Sequence, residues 1–488
     1  MRRGGIGLAV ALGAGLVLRL IGLASRPIWY DDAFSLLLSR RSLVEIVRGT
    51  AADTMPPLYY FMLHAWGAVA NSIAGIRLLN LVLSLAIIAM AYAIASALFD
   101  RKAALIAALL TAISPLQIYQ AQEVRMYVLL CLSLAVYVWA LVVAWRGAAR
   151  PAWWPWAAAV AAGTAAMYTH NLAVFSLIAP AVYFAASRKW DFLKKLSAAL
   201  GTILVLSGPW LLYLPGQIAK IQAAFWTPKP GLLEVIQALA FLHGFLPLPT
   251  ISQAALVALS LIAVAFTLLT VWRGDRPAET AFLLAWMIVP PAALFAVSYV
   301  MRPVFVPRAF MLSGVAYLIL AGRAITAARV LPVRIVLAGC FLGAAALSLP
   351  SQYGYRAFPR SAFPEASAYL EEQADPSDAV VHDNKLSFFP MYAYAPGIEQ
   401  RFLPDEPGSH NDTLAPATEA ALGLFPSASL EAATQGAERV FFIVFDRAIE
   451  EYRSMGLEDH PRLTWLRLHF VDGGFTSFGD LRVYDFER

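Results

Sequence analysis

Residues 4–35 read GGIGLAVALGAGLVLRLIGLASRPIWYDDAFS. A run of about twenty mostly apolar residues, the length needed to cross about 30 Å of hydrocarbon, ends at Arg26–Pro27 and meets two adjacent carboxylates, Asp31 and Asp32. The run is too long for the apolar core of a secretory signal, and no small-residue cleavage pattern follows it, so it reads as a retained first membrane helix. Composition extends that reading to the whole chain. Of 488 residues, 60% are hydrophobic and 14% charged, against roughly 25% charged in a soluble globular chain. The net charge of +5 is spread over loops rather than gathered in one stripe, which argues against nucleic acid as a partner. Cys131 and Cys340 both lie in apolar segments, so no disulfide framework is implied.

Stretches of spanning length can be laid out in order: residues 4–24, 76–98, 103–120, 124–145, 153–170, 171–187, 196–214, 251–272, 279–300, 308–327 and 331–349. The expectation is a polytopic α-helical membrane protein with about eleven transmembrane helices. Residues 56–70, PPLYYFMLHAWGAVA, are apolar but short and rich in Pro and aromatics, which suits an interfacial helix better than a span. Cytoplasmic loops carry the excess of Lys and Arg. With the N-terminus inside, Arg101–Lys102, Arg146, the Arg188, Lys189, Lys194 and Lys195 cluster, Arg273, Arg276, Arg323, Arg329 and Arg334 all fall inside. The outer loops are then 25–75, 121–123, the turn at His170–Asn171, 215–250 and 301–307. Beyond residue 349 charges become frequent and β-like runs appear, DAVVHD, RVFFIVFD and LRVYDF, between turn-forming residues. Residues 1–349 therefore read as the transmembrane domain, and 350–488 as a soluble α/β domain placed on the outer, periplasmic side by an odd number of spans. His382–Asp383 reads as a strand end.

Intramembrane charge is what an ion-coupled transporter ordinarily needs, and most of the spans have none in their middle third. The unusual polar groups collect instead on the outer edge: Asp31, Asp32, Asp53, His64, Glu123, Arg125, Tyr127, His170, Asn171, Arg302 and Arg308. Each has an ordinary structural reading beside the functional one. Asp31 and Asp32 suit the N-terminus of an amphipathic helix over residues 33–47. Glu123 suits a helix start, where Gln120, Glu123 and Tyr127 would share a face, and Arg125 suits an ion pair. Arg302 and Arg308 flank PVFVP on the outer side, against the charge trend, which points to an anionic partner such as a phosphate.

The segments WYDDAFS, MPPLYYFMLHAW, RLLNLVLSLA, FDRKAALIAALLTAISPLQIYQAQEVRMYVLL, MYTHNLAVF and RPVFVPRAF, in that order, resemble the membrane glycosyltransferases of the GT-C fold. Among these they are similar to the group related to protein O-mannosyltransferases and the lipid A aminoarabinose transferase, including its bacterial lipopolysaccharide-core and lipid A branch. The resemblance spans residues 10–330. It implies a polyprenyl-phosphate sugar as donor and a carboxylate on the first outer loop, here Asp31, as catalytic base. The family's second position is typically Glu, and here it is Asp32. Glu123 matches the second-loop acidic residue, and Arg302, Arg308 and His170 match groups that contact the lipid phosphate. Arg125, Tyr127, Tyr59 and His64 lie in the matching segments as substrate-binding candidates. No dinucleotide or P-loop glycine pattern marks a nucleotide cofactor site. Asp31, Asp32 and Glu123 are oxygen ligands of the kind a divalent cation takes, and metal dependence stays open. The expected activity is an inverting transfer of a sugar to an envelope glycolipid, glycan or protein at the periplasmic face of the inner membrane, among membrane lipids. The alternative is a transporter or flippase of lipid-linked sugars.

Overall fold

The structure is a computed structural model that describes residues 2–147, 152–224, 227–244, 248–405 and 415–488. It divides into two compact units, Met1–Ala24 with Thr54–Gly354, and Ser25–Asp53 with Tyr355–Arg488. The division corrects the domain boundaries read from sequence. The soluble unit begins at 355 rather than 350, and the first half of the expected outer loop 25–75 belongs to it rather than to the membrane domain.

In the membrane unit each of the eleven expected spans falls mostly on helix, but fewer are of spanning length; the first, expected over 4–24, ends at Leu20, and its apolar part Gly5–Leu20 is among the shorter helices. Among the described residues seven helices are long and apolar enough to cross a membrane: Ile73–Leu98, Tyr127–Arg146, Trp190–Leu211, Thr250–Trp272, Pro277–Val300, Pro307–Ala327 and Leu331–Gly354. The pair Arg101–Ile113 and Pro115–Ala121, bent by 57°, is apolar enough to make an eighth crossing if it is one broken span rather than a re-entrant loop. Pro115 sits at the first position of the second piece, where a proline has no N–H to continue the earlier ladder. The expected spans at 153–170 and 171–187 become Trp154–Met167 and Ala173–Ala186, 14 residues each, about 21 Å of helix and short of a full crossing. Residues 56–70 form only Leu58–Gly67, 10 residues, too short to span. The expected outer loop 215–250 holds two further helices, Leu214–Ala224 and Leu232–His243; its positions 225–226 and 245–247 lie outside the described residues.

Small residues bring these helices together. A Cβ on Gly322 would meet the backbone of Ala107 at 2.8 Å and of Ala103 at 2.9 Å, a close approach of the kind that membrane helices use in place of hydrophobic burial. Arg19 is fully buried, and its guanidinium donates to Ser84 Oγ at 2.8 Å and to the carbonyls of Ala112 and Thr111 at 2.9 and 3.3 Å. The charge trend has a structural counterpart at one end of the unit. Arg146 pairs with Glu279 at 2.7 Å and donates to the Leu98 carbonyl at 2.9 Å, while Arg323 reaches Asp100 at 3.1 Å and also Asp275. Loops that the positive-inside pattern assigns to one side are thus joined to one another.

The second unit holds a five-stranded sheet in the order β2-β1-β3-β5-β4, with β1 Ala379–His382, β2 Gln400–Phe402, β3 Arg439–Phe445, β4 Val471–Phe478 and β5 Leu481–Glu487. β2, β1 and β3 run parallel, and β5 and β4 pair antiparallel beyond them. The central strand β3 is buried along Val440–Phe445, the continuous apolar run that a strand covered on both faces requires. The three expected strands are β1, β3 and β5. Two were missed: β2 has three residues, and the glycines and a register shift between Asp472 and Phe475 break the alternation of β4.

Segment 25–53 folds into Tyr30–Ser39 and Leu43–Ala52 rather than one helix over 33–47. Ser42 and Glu45 form a reciprocal capping box that starts the second helix, satisfying two otherwise orphaned N–H groups. Gly49 lies against the Ala421 carbonyl, 2.9 Å from where a Cβ would stand.

Candidate functional site

At the end of the membrane unit away from Arg146, several of the expected residues meet. The helix Pro115–Ala121 stops, and the chain turns through residues 122–126 before Tyr127–Arg146 begins. Glu123 therefore sits in a turn, and the continuous face expected for Gln120, Glu123 and Tyr127 does not form. Side-chain amides hold the turn open. Gln122 donates to the carbonyls of Arg19 and Ile21 at 3.0 and 2.7 Å, and Asn80 donates to those of Glu123 and Arg125 at 2.7 and 2.8 Å. Glu123, Arg125 and Tyr127 are all buried.

Tyr127 is the link to the next two elements. Its ring lies 5.6 Å from His170 and under the Arg308 guanidinium at 5.5 Å. His170 is buried in the turn between Trp154–Met167 and Ala173–Ala186, and its Nδ1 accepts from the Leu172 N–H at 3.1 Å. That bond leaves the ring proton on Nε2 as a donor. Burial, and then the charges of Arg125 and Arg308, push His170 down to about 3, so the imidazole is neutral at physiological pH. Arg308 comes from the single-turn helix Pro307–Phe310. Two arginines, a neutral imidazole and a phenol thus stand together beside the Glu123 turn, a basic cluster suited to an anion.

The adjoining loops are tied to the same end. Leu58 N–H donates to the Tyr168 carbonyl at 3.0 Å, and Asn171 donates to the Thr54 carbonyl at 3.0 Å and to Gln217 at 2.9 Å. Tyr59 is buried edge-on to Tyr60, and His64 is half-buried in the last turn of the same helix. Arg302 is exposed, and its backbone N–H donates to Gln222 at 3.1 Å.

In the second unit the paired carboxylates part company. Neither caps the helix Tyr30–Ser39, which starts after Trp29 without a side-chain cap. Asp32 is fully buried and accepts from Arg360 Nη1 at 2.7 Å, both side chains being within 1% of complete burial. Asp31 is half-buried. The same Nη1 of Arg360 donates to the Pro27 carbonyl at 2.7 Å. Around this clamp, Ile28 N–H donates to the Tyr394 hydroxyl at 2.9 Å, and Tyr30 stacks on Phe389 at 5.3 Å. The motif is therefore built into the fold of the soluble unit.

Sequence reasoning missed Arg360, which lies in a stretch with no motif, and the roles of Asn80 and Gln122. A lone Asn in the apolar run RLLNLVLSLA was the available signal for the first of these amides. The cation site considered for Asp31, Asp32 and Glu123 has a competing claim on it: Arg360 engages the Asp32 carboxylate. Among the described residues no group of three or more His, Cys, Asp or Glu side chains is placed to hold a metal ion.

Residues 54–213 match a family model described as dolichyl-phosphate-mannose-protein mannosyltransferase. Tyr59, His64, Glu123, Arg125, Tyr127 and His170 lie within that match, while Asp31, Asp32, Arg302 and Arg308 lie outside it. No curated protein matches the sequence. Among solved structures the chain is similar to ArnT from Cupriavidus metallidurans in the apo state, with a TM-score of 0.66 at 13% identity, over 98% of this chain and 97% of that one. ArnT bound to undecaprenyl phosphate gives the same TM-score and identity, over 99% and 98%. The archaeal oligosaccharyltransferase AglB from Archaeoglobus fulgidus, in complex with an inhibitory peptide and a dolichol-phosphate, matches with a TM-score of 0.53 at 12% identity, over 99% of this chain and 74% of that one. The chain thus shares the fold of ArnT along its length, and over residues 54–213 it is similar to the dolichyl-phosphate-mannose-protein mannosyltransferase family.

Proposed function

We propose that the protein is an inverting glycosyltransferase that moves one sugar from a polyprenyl-phosphate donor to a hydroxyl of an envelope glycolipid, glycan or protein, at the periplasmic face of the inner membrane. The observation that carries this reading is the gathering of Arg125, Tyr127, His170 and Arg308 around the Glu123 turn. Structural neighbours bound to undecaprenyl phosphate and to a dolichol-phosphate support the same donor class.

In the reaction, the acceptor oxygen attacks the anomeric carbon, the carbon–phosphate oxygen bond breaks, and polyprenyl phosphate departs with the bonding pair. The phosphate is already a fair leaving group, so what the protein adds is alignment and charge stabilisation. Arg125 and Arg308 offset the charge growing on the departing phosphate. The neutral His170 offers an Nε2–H to a phosphate oxygen without adding a third cation. The resemblance of the first-loop motif assigns removal of the acceptor proton to Asp31, which is half-buried in its own unit. Glu123 is assigned to holding the sugar or acceptor. One displacement inverts the anomeric centre and needs no covalent enzyme intermediate.

The test is turnover by the purified protein of a panel of polyprenyl-phosphate sugars, with release of polyprenyl phosphate as readout. A protein that moves intact labelled donor between leaflets and never cleaves it is a flippase, and the reading fails.

A further inference from the structure

Arg360 is one of the largest fully buried side chains in the protein, and it belongs to the soluble unit rather than to the membrane helices. One nitrogen, Nη1, donates both to the Pro27 carbonyl and to Asp32 Oδ2, each at 2.7 Å. The two acceptors bracket the start of the helix Tyr30–Ser39, one before Trp29 and one in the first turn. Successive residues of a helix point about 100° apart, so anchoring Asp32 inward sets the direction of Asp31. Tyr394 on the Ile28 N–H and Phe389 against Tyr30 hold the same few residues from Lys385–Tyr394. A buried ion pair is weak evidence for stability alone, since apolar residues of like volume often replace one without loss. Its place next to an assigned base points to another role.

We propose that Arg360, through Asp32, is a positioning residue for Asp31, and that the soluble unit is the scaffold that aims the catalytic carboxylate. This rests on the reading of Asp31 as the base. Asp32 then serves as a strut rather than a second base.

The experiment compares full-length Arg360→Lys, the double variant Arg360→Met/Asp32→Leu, and Asp31→Asn, each purified in the same lipid, by kcat, donor KM and thermal midpoint. An ammonium can supply both N–H donors from one atom, so Arg360→Lys should keep kcat within about tenfold of wild type at unchanged donor KM. The apolar pair should restore the midpoint but leave kcat down about 100-fold, the cost of a displacement of about 1 Å at a reacting group, with donor KM within about threefold. If the apolar pair recovers kcat along with the midpoint while Asp31→Asn stays inactive, the pair merely holds the fold, and the proposal falls while the base assignment stands. Should the double variant not fold, Arg360→Lys decides: intact kcat with a raised donor KM also overturns positioning. Full activity in Asp31→Asn overturns the base reading and this proposal together.

Discussion

At the scale of the residue, two neighbouring aspartates with one side chain in common end in opposite circumstances. Asp32 is enclosed with Arg360, and Asp31 is left half-buried. A positioned general base contributes about 10²–10⁴-fold, so Asp31→Asn should lower kcat by at least about 100-fold while donor binding, measured by titration in detergent, stays near wild type. Arg125 and Arg308 face a different test. Charge-assisted hydrogen bonds are worth about 1.5–3 kcal/mol. Arg308→Met should therefore weaken binding of undecaprenyl phosphate about 10- to 100-fold and leave the unphosphorylated alcohol unaffected, with Arg125→Met acting in the same direction. His170 stays neutral because burial and two guanidiniums hold it at about 3. His170→Gln should then lower the pH–activity profile between pH 5 and 8 without changing its shape. These side chains were legible as types: outward arginines and an acidic pair at a helix end are anomalies in a membrane chain. Their grouping was not, because Tyr127, His170 and Arg308 come from three distant segments.

At the scale of the element, apolar run length located the long membrane helices but not the interruptions, and it over-counted the spans: eleven were expected, and among the described residues seven helices, or eight with the bent pair, are long and apolar enough to cross. The break at residues 122–126 arises because Asn80 and Gln122 bind carbonyls that a continuous helix would have used, and such long-range partners leave no local pattern. Helix contacts were equally silent. Gly322 touches the backbone of Ala103 and Ala107, whereas a Cβ on Gly339 meets nothing within 4 Å. Backbone cannot move aside cheaply, so Gly322→Val should cost about 1–3 kcal/mol, seen as a lowered thermal midpoint, and Gly339→Val should not.

At the scale of the whole molecule, residues 25–53 and 355–488 form one unit although some 300 residues lie between them in sequence. Truncation after Gly354 removes the partners of Asp32, Ile28 and Tyr30, and should abolish transfer even where the membrane helices still insert. The unit also carries a built-in acid sensitivity. His382 is fully buried between Ser387 and Gln400, and burial, opposed by the Gln400 bond, lowers it to about 3. Between that value and the ordinary value near 6.5 the unfolded chain binds one more proton than the native state. The contribution of His382 therefore falls as pH falls, by about 1.4 kcal/mol per pH unit. Unfolding midpoints at pH 7 and pH 5 should differ more in the wild type than in His382→Gln.

The sequence by itself determined the membrane class, the places of the long apolar helices along the chain, the three longer strands of the soluble domain other than β4, and the two candidate acidic loops. These follow from local quantities: hydropathy over about twenty residues, alternation, and the chemistry of single side chains. Tertiary structure alone decided that the first-loop motif belongs to the soluble unit, that Asp32 is spoken for by Arg360, and that Arg308 joins His170 and Tyr127. Each depends on hydrogen bonds and ring contacts between residues hundreds of positions or several helices apart, where energy is set by proximity in space and not by order along the chain.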